Sequence, residues 1–193
     1  MSGIVGVSPN MNSGVLGAHP AGFQKSIAII GDNKAHDSHA PTMSGGYSDS
    51  LTEGTWDIRE LNRIFIDEDN IVSISSNKFT LQPAKYFIEW SAPCYNGGVN
   101  MSRLYNVTAD HIEAHSQTGH TSSSTSNWQG CRVLTPSTAF PTGVASEFKI
   151  EHNCQETNVA QGHGHGAYYN GRTATVDGHT IGVFLVVRIH KYT

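Results

Sequence analysis

Glu147-Phe148-Lys149-Ile150-Glu151-His152-Asn153-Cys154 decides the fold class. Phe148, Ile150, His152 and Cys154 fall on one side of an extended chain, and Glu147, Lys149, Glu151 and Asn153 on the other. A period of two with one charged side is a strand that lies on a core and meets water on its far face. Upstream, Lys85 to Ser91 alternates in the same way, with Tyr86, Ile88 and Trp90 opposed to Phe87, Glu89 and Ser91; Pro93 and Asn96-Gly97-Gly98 are expected to end it. Downstream, Ile181 to Ile189 is apolar on both sides through Val183-Phe184-Leu185-Val186-Val187, which predicts a central strand covered on both faces.

Shorter runs fill the space between. Ile71-Val72-Ser73-Ile74 and Phe79-Thr80-Leu81 flank a turn at Ser75-Ser76-Asn77-Lys78, and Met101 to Val107 alternates. Ser116 to Asn127 is polar enough to be a surface loop, Trp128 to Leu134 resumes strand character, and Pro136 and Pro141-Thr142-Gly143 punctuate the connection that follows. No helical period occurs. The expected architecture is all-β, an antiparallel jelly-roll sandwich. It occupies residues 53–193, with strand character from Trp56 on, behind an extended N-terminal arm of residues 1–52.

The arm is rich in Gly, Ser, Asn, His and Pro. Its apolar content is Ser26-Ile27-Ala28-Ile29-Ile30 with scattered Val5, Val15, Leu16 and Phe23. That is too little for a core, and more than a solvated linker carries. Ile27, Ile29 and Ile30 are therefore expected to anchor the arm on another protein.

Composition narrows the function. Of 193 residues 15% are charged, against about 25% in average domains, and the difference is made up by Ser, Thr, Asn and Gly. The net charge is -4 with no run of Lys or Arg, which excludes a nucleic-acid or anionic-membrane binder. No apolar run approaches the roughly 20 residues of a membrane span, and Met1 to Asn10 lacks the pattern of a secretion signal. Cys94, Cys131 and Cys154 are too widely spaced for a metal motif and odd in number, so buried free thiols are expected.

Lys85-Tyr86-Phe87-Ile88-Glu89-Trp90-Ser91-Ala92-Pro93-Cys94-Tyr95, followed by Ser102-Arg103-Leu104-Tyr105-Asn106-Val107-Thr108, resembles a set of phage virion proteins. Those proteins carry a jelly roll similar to the globular heads of complement and tumour necrosis factor. The same family has a strand resembling Phe148, Ile150, His152 and Cys154, and a closing strand resembling Val186-Val187-Arg188-Ile189-His190-Lys191. Where this chain has Pro83-Ala84 the family usually has Gly. The resemblance covers Trp56 to Thr193 and carries structural rather than catalytic motifs. It implies a homotrimeric knob on a virion, made in the host cytoplasm. The knob would decorate the capsid as a cement protein or head fibre, docked to the major capsid or another virion protein through residues 1–50. The alternative is the receptor-binding knob of a tail fibre that recognises a host surface glycan. The 50-odd residues ahead of the knob contain neither heptads nor repeats for a fibre shaft, which favours decoration.

Candidate sites are few. Among eleven histidines, His163 and His165 in a Gly-rich run could meet around an axis as a metal site, against a plain polar loop. Tyr95, Trp128, Tyr168 and Tyr169 lie in or beside loops, where aromatics can stack on sugars or simply pack. His111 and His115 have the spacing of a zinc pair on a helix but sit in a strand-rich region, so a solvated turn is expected. Asp67-Glu68-Asp69 lacks the ligand spacing of a calcium loop and reads as a turn. No Gly-x-Ser-x-Gly elbow, carboxylate pair in an apolar setting or phosphate-cradling loop is present, so the chain reads as non-enzymatic and free of cofactors. A cupin-type metalloenzyme would need ligands on one face, and Glu151 and His152 are neighbours pointing to opposite faces.

Overall fold

Each alternating run becomes a strand in the computed structural model, which describes residues 25–35, 51–122, 125–157, 168–169, 172–173, 175–176 and 179–192. The first five strands are β1 Lys25–Ala35, β2 Asp57–Ile58, β3 Arg63–Asp67, β4 Val72–Ser75 and β5 Lys78–Leu81. Then come β6 Lys85–Tyr95, β7 Gly98–Asn106, β8 His111–His115, β9 Gly119–Thr121 and β10 Thr125–Leu134. One short helix, α1 Pro136–Ala139, precedes β11 Ser146–Cys154. The last are β12 Tyr168–Tyr169, β13 Arg172–Thr173, β14 Thr175–Val176 and β15 His179–Tyr192.

Two antiparallel sheets face each other. One runs β10-β6-β15-β1-β3 with β14 added beside β15; the other runs β4-β5-β11-β7-β8 with β2 beside β11 and β9 beside β7. The pairings nest: β1 with β15, β5 with β11, β6 with β10, and β7 with β8 innermost. Successive partners alternate between the sheets, so a long hairpin has been rolled into a sandwich. That is the jelly roll.

The core lies between the inner faces. Ala28, Ile30, Ile88, Trp90, Val187 and Ile189 from the first sheet meet Phe79, Leu81, Leu104, Phe148 and Ile150 from the second, all buried. Phe79 stacks on Phe148 at 5.5 Å, and Phe140, just past α1, meets Phe148 edge-on at 6.0 Å and closes one end. Trp90 donates its indole N–H to Ser102 Oγ at 2.9 Å and ties the two sheets together. Its ring lies against β10, where Gly130 leaves room: a Cβ there would stand 2.0 Å from the indole. The β4–β5 connection is a two-residue turn, with Ser76 and Asn77 both at positive φ (50° and 62°), the twist a tight hairpin requires.

Several expectations change. β1 pairs with β15 along its whole length and with β3 on its other side, and Ala28 and Ile30 are fully buried. Ile27, Ile29 and Ile30 are therefore part of the sandwich's own sheet rather than of a separate arm, and a boundary at residue 52 would cut a central strand from its domain. The physical reason is that the closing strand, apolar on both faces, needs a partner on each edge, and residues 25–35 supply one. The rest of the 1–52 arm lies outside the described residues. Pro93 does not end β6, which runs on to Tyr95; past Ser91 β6 has lost its β15 neighbour, so the missing N–H costs no ladder bond. The polar stretch 116–127 is not all loop, since β9 forms there and Thr121 is buried. His111 to His115 is strand rather than turn.

Candidate functional site

The described residues offer three places where side chains could do more than pack. The first is a buried polar cluster at the end of the sandwich where β6 and β11 finish. Alternation places His152 inward on β11 opposite Ser102, and the Asn96–Gly98 turn, with Asn96 and Gly98 at positive φ, starts β7 so that Asn100, opposite Cys154, lies diagonally across from the ring. His152 Nε2 lies 3.1 Å from Asn100 Oδ1, and Nδ1 lies 3.5 Å from Arg59 Nη1. The ring thus donates from Nε2 to the carboxamide oxygen and presents a lone pair at Nδ1 to the guanidinium. Arg59, itself buried, donates to the Pro93 carbonyl at 2.7 Å. Burial first, then the Arg59 cation, holds His152 well below the ordinary imidazole range, so the ring is neutral. Asn100 also donates to the Gly98 carbonyl and to Thr121 Oγ1. The cluster holds this end of the fold together.

The second place is the outer face of β11-β7-β8. Trp56 lies under Arg103 (4.0 Å from guanidinium carbon to ring centre), and Tyr105 lies against both Arg103 (5.1 Å) and Lys149 (4.8 Å). Arg103 Nε and Lys149 Nζ each stand 2.6 Å from a different oxygen of Glu151. Glu151 was expected on a wet face; it is 3% exposed because these two cations cover it. Glu151 and His152 do point to opposite sides of β11, so they cannot share an ion. Among the described residues no group of three His, Cys, Asp or Glu side chains could hold a metal. His111 pairs with Glu113 at 3.2 Å and His115 packs on Trp56 at 5.9 Å, so the two are engaged separately. Asp67 accepts the backbone N–H groups of Ile71 and Val72, which makes the acidic run a turn held by its own carboxylate.

The third place is the outer face of β10-β6-β15-β1-β3. Register sets its rows: Ile66, Ile29, Arg188, Glu89 and Cys131 side by side, then Ile27, His190, Phe87 and Val133. Ile66 is 45% and Val133 46% exposed, and the Phe65 ring lies over Gly31, whose Cβ would stand 2.8 Å from it. Toward the β10 edge the face turns polar. A cleft of about 490 Å³ is lined there by Glu89, Ser91, His115, Gln117, Gln129 and Arg188. It brings a carboxylate, a guanidinium, two carboxamides and an imidazole together, groups that bind hydroxyl-rich or carboxylate-bearing small molecules.

Of these cleft residues the sequence singled out His115 alone, as half of a possible zinc pair with His111. Glu89 and Arg188 are visible there as strand residues, but their juxtaposition depends on β6 lying next to β15. Of the residues that were singled out, His163 and His165 lie outside the described residues. Tyr95, Trp128, Tyr168 and Tyr169 are placed in β6, β10 and β12 by their backbones, and their side chains lie outside the described part.

No protein-family model and no curated protein matches the chain. Solved structures similar to it include the globular domain of zebrafish complement 1qA protein, at 12% identity and a TM-score of 0.46, covering 87% of this chain and 94% of that one. Murine APRIL is similar at 6% identity and a TM-score of 0.48, covering 87% and 99%. PRD1 vertex protein P5 is similar at 9% identity and a TM-score of 0.48, covering 87% and 97%. The likeness is one of fold.

Proposed function

We propose that the chain is a bacteriophage virion structural protein, a homotrimeric jelly-roll knob that decorates the capsid as a cement protein or head fibre. The observation that carries this reading is the outward face of the β10-β6-β15-β1-β3 sheet. Ile27, Ile29, Ile66, Phe87 and Val133 lie on it, and Phe65 covers Gly31 beside them. A sandwich whose outer faces met only water would alternate apolar-in with polar-out, and these apolar side chains, set outward around Arg188, Glu89 and His190, mark an assembly surface. The low charge of the chain and its resemblance to virion knobs support a second copy as the occupant. With β1 built into the knob, attachment to the shell falls to residues ahead of Lys25.

Light scattering on the purified chain should give three times its 20.8 kDa mass, and Ile66→Lys, at the exposed β3 edge, should shift it to monomer with strand content unchanged. Cryo-electron microscopy of the particle then places the trimers; a monomeric wild-type chain, or its absence from particles, refutes the proposal.

The cleft favours a second reading, a tail-fibre knob that recognises a host surface glycan. Binding to a glycan array that Arg188→Ala abolishes, with a handful of copies at the tail, would establish it in place of decoration.

A further inference from the structure

Cys94, next to last in β6, and Cys154, last in β11, lie on strands of opposite sheets, and both thiols are free. They are buried to within 1% and share one small apolar cluster with Leu51, separate from the main core. Gly97, in the turn joining β6 to β7, passes over both: a Cβ on it would lie 2.6 Å from Cys94 Sγ and 3.3 Å from Cys154 Cβ. The two side chains therefore crowd a single point, and the turn closes over them because residue 97 has no side chain of its own. Thr121 Oγ1 approaches Cys94 Sγ at 4.0 Å, while Cys154 Sγ donates to the Glu156 carbonyl at 3.1 Å. That weak bond is the one that rotation toward Cys94 must give up.

We propose that Cys94 and Cys154 are a disulfide site, which stitches the two sheets together at this end when the protein meets a small-molecule disulfide such as oxidised glutathione. One protein thiolate attacks a sulfur of the oxidant and releases one glutathione thiol; the second protein thiolate then attacks the mixed disulfide and releases the other. Two protein thiols lose two protons and two electrons, and the oxidant is reduced to two thiols. Burial raises the thiol of Cys94, and burial followed by the neighbouring Cys94 raises that of Cys154 to about 11, so few thiolates exist at neutral pH. Oxidation of the folded protein is accordingly slow, speeds up with pH, and proceeds through opening of the 95–98 turn. Once formed, the bond closes a loop of about 60 residues and restricts the unfolded chain.

The test is incubation of the full chain with oxidised glutathione at pH 8.5, followed by peptide mapping of the unreduced protein. A linked pair of peptides carrying Cys94 and Cys154 is expected, with a rise of several degrees in the thermal midpoint that a reductant reverses. In Cys131→Ser, which removes the exposed thiol, the number of alkylatable thiols should fall from two to none without added glutathione mass. Cys94 and Cys154 carrying separate glutathiones, remaining alkylatable, or bonding to Cys131 would each overturn the proposal. The wild-type map gives the answer even if the variant folds poorly.

Discussion

Lowering the pH from 7.5 to 5.0 should destabilise this protein through His152 alone, by at most about 2 kcal/mol. The ring is buried, receives the Arg59 guanidinium at Nδ1 and donates from Nε2 to Asn100, and its pKa lies well below the ordinary 6.5. Above pH 6.5 the imidazole is neutral in the folded and unfolded chains alike and adds no pH dependence. Below it the unfolded chain takes up a proton that the folded chain refuses, so stability falls as pH falls, by about 1.4 kcal/mol per unit until the folded pKa is reached. One and a half units below 6.5 set a ceiling of about 2 kcal/mol on this loss. Urea unfolding of the wild type and of His152→Gln at the two pH values isolates the effect. The variant retains a side-chain amide toward Asn100 and cannot titrate, so its stability should drop less than that of the wild type over the same interval, by up to about 2 kcal/mol. Equal pH dependence in the two proteins would show that His152 is protonated in the fold, and the reading of the cluster would be wrong.

Gly130→Ala places a methyl group 2.0 Å from the Trp90 indole, at a ring held on its other side by the core, and should cost about 2–3 kcal/mol in denaturant unfolding. Deleting residues 1–50 should leave a chain that does not fold, since it strips β15 of β1; deleting residues 1–24 should leave the circular dichroism of the sheet intact. A folded, soluble 51–193 fragment would show that β1 is dispensable.

Strands were legible where burial imposes a period on the side chains. Glu147 to Cys154 gave both the strand and its inward residues, and the doubly apolar run before Ile189 correctly announced a central strand. Ser26 to Ile30 was equally visible as a strand but was assigned to a partner, because its pairing with residues more than 150 positions away is a long-range fact that a local pattern does not contain. Pro93 misled for the same reason: whether a proline breaks a strand depends on which neighbour faces its nitrogen. The cleft was illegible because it is made by register between β6, β10 and β15. Glu151 looked like a solvated carboxylate because nothing local shows that Arg103 and Lys149 close over it.

Lys25 opens β1 directly opposite Tyr192 near the end of β15, so the incoming and outgoing chain share one corner of the sandwich. The Asn96–Gly98 turn and the two cysteines beneath it lie at the far pole. If the proposed tether ahead of Lys25 holds, the sandwich is mounted with a fixed polarity. A peptide fused after Tyr192 would emerge against the mounting surface, whereas one grafted into the Asn96–Gly98 turn would be held outermost and presented to the surroundings.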